Sequence, residues 1–357
     1  MKAKSEGYLL ETASNREVCV QKQNYRKNFI YVFLITLIVI FIFSLVLGRY
    51  PISIGTLCKV ILSRFYPVTR TWQKTIETVI FQVRIPRMCA AVLVGASLSV
   101  SGAAYQGMFK NPLVSPDILG VSAGAGFGAA LGIFFSLNVV GIQILSFLMG
   151  LVAVILSFVL SSRSRHDPIV ALVLVGMLVG TIFTSGTSLL KYMADPYDKL
   201  PAITFWLMGS LASIKTEDVK LCLIPMLLGV VPIYLLRWRL NVMSFGEEEA
   251  KALGLDTKKI RLVVILCSTL MTASAVSISG MIGWVGLIVP HMARLIVGPN
   301  YKELIPASIL LGSCYLLLVD DLARVASSVE IPLGILTSTI GAPFFLYLLL
   351  YKKGGWQ

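Results

Sequence analysis

Residues 118–162 read ILGVSAGAGFGAALGIFFSLNVVGIQILSFLMGLVAVILSFVLSS, without a single Asp, Glu, Lys, Arg or His. About 20 apolar residues in a helix cross the hydrocarbon core of a bilayer, and lipid offers exposed backbone groups no hydrogen-bond partner. The stretch is too long for one crossing and is read as two spans, with a turn near Asn138. Working outward, residues 29–48, 88–109, 168–190 and 331–351 also lack Asp, Glu, Lys and Arg.

Composition agrees: of 357 residues, 56% are hydrophobic and only 14% charged, against roughly a quarter charged in soluble domains. The net charge of +13 suggests a nucleic-acid binder in isolation. In a membrane chain, excess Lys and Arg mark cytoplasmic loops, and no nucleic-acid partner is expected. The six cysteines, Cys19, Cys58, Cys89, Cys222, Cys267 and Cys314, show no CxxC spacing and are assigned neither metal nor disulfide. Residues 1–28 form a polar cytoplasmic tail with Glu6, Glu11 and Glu17 among its lysines. The apolar span that follows has no small-residue cleavage site and reads as a retained anchor.

The expected fold is all-α and polytopic, with ten spans near 29–48, 88–109, 118–135, 139–162, 168–190, 220–236, 262–280, 284–297, 304–322 and 332–350. The spans form one domain over residues 29–351. Placing both termini in the cytoplasm puts the larger share of the 31 Lys and Arg inside. The outer loop 49–87 is the exception, with Arg49, Lys59, Arg64, Arg70, Lys74, Arg84 and Arg87. Ser99-Val100-Ser101-Gly102 in the second span is echoed by Ser277-Ile278-Ser279-Gly280 in the seventh, which runs the opposite way, as in two inverted-repeat halves. Gly95 with Ser99, Gly176 with Gly180, and Gly120, Gly124 and Gly128 are expected to let helix backbones approach closely.

Groups that carry chemistry are scarce. Asp320 and Asp321 lie at the outer end of the ninth span, with Arg324 at the helical spacing that pairs it with either. The two histidines, His166 and His291, cannot make a His-rich metal site, and His291 is expected as a hydrogen-bonded residue at a helix start. No GxxxxGK[ST] loop is present to cradle a nucleotide, and no carboxylate sits mid-span for ion coupling. The driving force is therefore expected from another chain.

The largest cytoplasmic loop, 237–261, contains Gly246-Glu247-Glu248-Glu249-Ala250-Lys251-Ala252-Leu253-Gly254-Leu255. Glu247 to Leu253 reads as a short helix with acids at its start and a glycine after it. Ala250 and Leu253 are expected to share a face turned to a partner.

Arg84-Ile85-Pro86-Arg87, Asn111-Pro112-Leu113 with Leu119-Gly120-Val121, Gly283 to His291 and Glu330 to Gly334 together resemble the FecCD-type permeases of ABC importers for iron-siderophore complexes, haem and cobalamin. Arg84-Ile85-Pro86-Arg87 is similar to the family's RxPR. Asn111-Pro112-Leu113 with Pro116 and Leu119-Gly120-Val121 resembles its NPLAxPxxLGV segment, with Val114 replacing the alanine. Gly283 to His291 resembles GFxGLxxPH, and Glu330-Ile331-Pro332-Leu333-Gly334 and Gly341-Ala342-Pro343-Phe344 follow the same pattern. The resemblance implies a type II ABC importer permease in the inner membrane of a bacterium or archaeon, paired with itself or a paralogue. It also implies two cytoplasmic ATPase subunits, which carry the ATP and Mg, no cofactor on this chain, and an extracytoplasmic binding protein. Arg84, Arg87 and Arg324 would meet acids on that protein; Gly246, Glu247, Ala250, Leu253, Gly254 and Leu255 would couple to the ATPase. Gly176, Gly180, Thr184, Leu336 and Thr339 would border the pathway. The expected cargo is a ferric siderophore, with cobalamin or haem as the alternative; a stand-alone secondary transporter and an intramembrane enzyme are the remoter readings.

Overall fold

The charges that hydropathy treats as breaks do not always end a helix here. The computed structural model describes residues 29–351 except 49, 65, 68 and 166, and these are helices joined by short turns. The 1–28 tail, Cys19, Arg49 and His166 lie outside the described residues.

In chain order the helices are α1 (Phe29–Val46), α2 (Ile54–Leu62), α3 (Lys74–Met108), α4 (Val121–Phe134), α5 (Val139–Ser162), α6 (Pro168–Met193) and α7 (Lys199–Met208). Then come α8 (Thr216–Phe245), α9 (Glu247–Ala252), α10 (Thr257–Ser279), α11 (Val285–Val297), α12 (Tyr301–Val325) and α13 (Leu333–Tyr351). Among the described residues, α1, α3, α5, α6, α8, α10 and α12 are long and apolar enough to cross a membrane, while α4, α11 and most of α13 are shorter apolar helices. These ten follow the ten expected spans in order.

The limits differ in places. α3 starts at Lys74 and α8 runs to Phe245, so the expected loop 237–261 begins as helix. Lys74, Glu77, Arg237 and Arg239 are good helix formers beyond the hydrocarbon, where hydropathy has no say. α2 and α7 are likewise helices where loops were expected. His291 lies inside α11 and not at its start.

α3, α10 and α12 form the centre: the most apolar window of each is 83%, 78% and 67% buried, against 17–33% for α1, α5, α6 and α8. The order long, short, long in α3 to α5 recurs in α10 to α12. The two SxSG helices meet where Ser101 Oγ lies 3.0 Å from Thr272 Oγ1 and donates to Ser268 O at 3.3 Å. Within α3 the turn Val79–Arg84 is π-helical. Pro86 has no N–H for the preceding turn, and the wider turn absorbs that loss.

Small residues set the spacing, because dispersion contacts and not water drive helix association in lipid. Gly102 lies so close to the Gly286 backbone that a Cβ would overlap its carbonyl, and Gly95 stands in the same way against Gly312. Backbone on the other side cannot yield as a side chain can. Gly102→Val is expected to cost about 3 kcal/mol or more and to strip most folded protein from the membrane. Gly55→Ala, with open space around it, should leave thermal unfolding in detergent unchanged.

Candidate functional site

Two polar clusters hold the expected docking and coupling residues: the ends of α1, α3 and α12 that meet at Arg87, called the outer end from the expected orientation, and the tip formed by α9. At the outer end, Arg84 and Arg87 stand three residues apart on one face of α3, and both are buried. Arg84 donates to Leu45 O at 2.5 Å, Val46 O at 3.2 Å and Tyr50 O at 2.5 Å. It thereby occupies carbonyls left over at the end of α1, which would otherwise have no partner. Arg87 pairs with the fully buried Asp320 at 2.9 Å and with Glu330 at 2.8 Å, tying α3 to α12 and to the loop before α13. Arg324 pairs with Asp321 and, at 3.4 Å, with Asp320, so the expected spacing is realised on both carboxylates. It also donates to Ser44 Oγ at 2.6 Å, and Ser44 donates to Asp321 at 2.6 Å, which brings α1 into the cluster.

This placement alters the expectation for Arg84, Arg87 and Arg324. They lie together, but all three are buried and spend most of their donors inside the chain, so they do not face an outside partner. Sequence reasoning missed Ser44 and the pairing role of Glu330. A serine in an apolar span and an acid next to Ile-Pro were the only signals. The exposed basic residues of the outer segment are Lys59, Arg64, Arg70 and Lys74. Of these, Arg70 pairs with Glu77 at 2.5 Å and Arg64 stacks on Phe81.

At the tip, Glu247, Glu248 and Glu249 occupy the first turn of α9, where the helix dipole favours negative charge. Glu247 pairs with Lys251 at 3.1 Å and Arg261 at 2.8 Å, and accepts from Thr257 Oγ1 at 3.2 Å. The Lys251 hydrogen bond, with the Arg261 charge behind it, holds its carboxyl below the ordinary value. The helix ends in a Schellman turn: Gly254 N donates to Lys251 O at 2.9 Å and Leu255 N to Ala250 O at 3.0 Å. Gly254 adopts φ +78° with nothing near its absent Cβ, so backbone conformation and not space requires glycine.

Gly246 and Ala250 are buried, and Leu255 packs on the core. The expectation that Ala250 and Leu253 present one apolar face is therefore corrected: Ala250 is fully covered and Leu253 is 66% exposed. Phe245, at the end of α8, is a second exposed apolar residue of the tip, at 76%. Sequence reasoning passed over it because it was assigned to a loop.

The residues expected along the pathway divide in two. Gly176 packs on Ile118 and Leu119 in the short 3-10 turn Pro116–Leu119, and Gly180 on Gly120, so both serve helix contact. Thr184 and Thr339 are exposed on α6 and α13, and Leu336 is half-buried. Each threonine returns its hydroxyl to the carbonyl four residues back, at 2.8 Å.

The family model of the FecCD transport family matches residues 36–351. The chain is 42% identical to the molybdate import system permease protein MolB of Haemophilus influenzae, over 89% of this chain and 94% of that protein. It is 38% identical to a probable iron chelatin transport system permease protein of Helicobacter pylori, over 78% and 85%. A solved structure reported as an inward-facing conformation of a metal-chelate type ABC transporter superposes with a TM-score of 0.81 at 41% identity, covering 90% of this chain and 99% of that one.

Removing one member of the outer cluster leaves a buried charge alone. Arg87→Ala is expected to destabilise the chain by about 3–5 kcal/mol, and the double variant Arg87→Met with Asp320→Leu by much less. Thermal unfolding of both variants in detergent checks this.

Proposed function

The chain belongs to the FecCD transport family of ABC importer permeases, and we propose that its own cargo is a ferric siderophore. It is a multi-pass protein of the cytoplasmic membrane and a transport subunit, not an enzyme. The iron-chelatin name of one relative and the metal-chelate description of the similar structure support the iron reading. The 42% identity to a molybdate permease favours a second reading, in which the cargo is an oxyanion.

The cytoplasmic tip is the observation that carries the coupling half of this reading. Phe245 and Leu253 expose apolar side chains to the compartment where ATPase subunits would stand, at either end of a short helix braced by Glu247, Lys251 and Arg261. Two ATPase subunits, holding the ATP and Mg, would grip this patch, while the chain itself binds no cofactor. A gate shifts only as far as its ligand distinguishes the two states, so the closed ATPase pair must hold the tip differently from the open pair. A second permease copy or paralogue would complete the pathway, with Thr184, Leu336 and Thr339 facing it. An extracytoplasmic binding protein would approach Lys59, Arg64, Arg70 and Lys74, with Arg84, Arg87 and Arg324 fixing the platform beneath them.

Uptake of radiolabelled ferric siderophores, cobalamin, haem and molybdate by cells with and without the chain tests the cargo. Loss of one ferric siderophore alone is the expected result; loss of molybdate uptake alone replaces it with the second reading. Leu253→Asp, at an exposed position, is expected to leave the amount of protein in the membrane unchanged and to lower uptake at least tenfold. Normal uptake by that variant would remove the tip from the coupling path.

A further inference from the structure

A crevice of about 210 Å³ opens between α5, α8 and α10. Gln143, Ile144, Phe147 and Leu148 line it from α5, Leu221, Cys222 and Pro225 from α8, and Ser274 and Ser277 from α10. In the topology of the proposed permease, α5 and α8 enter from outside and α10 leaves there. All three groups of residues therefore fall in the outer half of the membrane.

We propose that this crevice holds one acyl chain of an outer-leaflet phospholipid. The inference rests on the membrane orientation above but on neither the cargo nor the coupling. Small side chains make the back wall: Cys222 and Ser277, whose Sγ and Oγ lie 3.9 Å apart, and Ser274 leave a gap that larger residues would fill. The mouth is apolar and open to the bilayer, with Ile144 48%, Leu148 46% and Leu221 52% exposed. Its roof is polar: Gln143 Nε2 donates to Asp218 Oδ1 at 2.9 Å, and Lys215 N to Asp218 Oδ2 at 2.8 Å. Asp218 is spent on these bonds, and the exposed Lys215 stands at the head of the same helix, three residues before it.

This gradient, polar at the interface and apolar below, is that of a lipid ester region above its chain. Water, which needs two to four polar partners, finds only Gln143 Oε1 and Ser274 Oγ unbonded among the lining residues, and the surface of the crevice is otherwise almost wholly apolar. A void left empty forfeits dispersion contacts along its whole wall. Lipid is the one apolar molecule that always faces the opening. Its chain would fill the wedge between α8, which leads to the cytoplasmic tip, and α10.

Native mass spectrometry of the full chain, purified in mild detergent and titrated with phosphatidylglycerol and phosphatidylethanolamine, tests this. Wild-type protein should retain one tightly held phospholipid per chain. Ile144→Trp and Leu148→Trp, both at exposed positions where an indole covers the mouth, should lose it, with the one-lipid peak falling at least fivefold. Leu235→Trp, exposed on the cytoplasmic half of α8, should retain it. Monodisperse elution in size-exclusion chromatography establishes that the variants are folded. Equal lipid retention by wild type and both mouth variants, or none by wild type, would overturn the proposal while leaving the transport reading untouched.

Discussion

Arg87 and Asp320 are 233 residues apart in the chain, yet their side chains meet where neither water nor lipid reaches. Either charge alone at that position would cost several kcal/mol, so the pair fixes the depth at which α3 and α12 lie against each other. The remaining acids and bases follow from this pair. Arg87 has a second nitrogen to satisfy and takes Glu330, which anchors the loop before α13. Asp320 reaches Arg324, Arg324 reaches Asp321 and Ser44, and α1 is drawn in. Arg84 then occupies the carbonyls that end α1. The cluster contributes less through net attraction than through the cost of any other arrangement.

Below the cluster there is no charge to specify depth, and the helices are held by shape. Gly95 against Gly312 and Gly102 against Gly286 bring backbones together at two levels of α3. Polar bonds return at the cytoplasmic end, where Asn241 of α8 donates to Asn300 at 2.6 Å and accepts from the Tyr301 N–H at 2.7 Å. Arg294 reaches Gln106 at 3.1 Å across the same end. α12 is thus pinned to α1 and α3 at its outer end and to α8 at its inner end.

Much of this was legible in the sequence because the bilayer imposes a simple rule on it. Ten apolar tracts became ten apolar helices, and the spacing of Asp320, Asp321 and Arg324 foretold their pairing, since both readings depend only on local periodicity. What escaped were facts of tertiary packing. The RxPR arginines have the look of surface residues until Asp320 and Glu330, far along the chain, are found beside them. Ala250 and Leu253 share a helical face on a wheel, but α9 is a single, short segment lying on α8 and α10, so its inner edge is covered. Helix limits failed where Lys74 and Arg237 extend a span beyond the hydrocarbon. There, length is set by propensity and by what the helix packs on, and hydropathy carries no information.

The path from tip to cluster follows from these pins. α8 contains Pro225 and Pro232, which give no N–H to the carbonyls of Leu221 and Leu228. The second of these carbonyls instead lies 3.9 Å from Cys267 Sγ of α10. α8 is therefore least rigid in its outer half, and most firmly held to α12 near Asn241, one turn before Phe245. Asn241 ties α8 to Asn300 and Tyr301 at the start of α12. α12 has Lys302, Glu303 and Pro306 in its first two turns and no charge from there to Asp320. Glu330, the member of the ion cluster most exposed, sits on the loop that leads into α13.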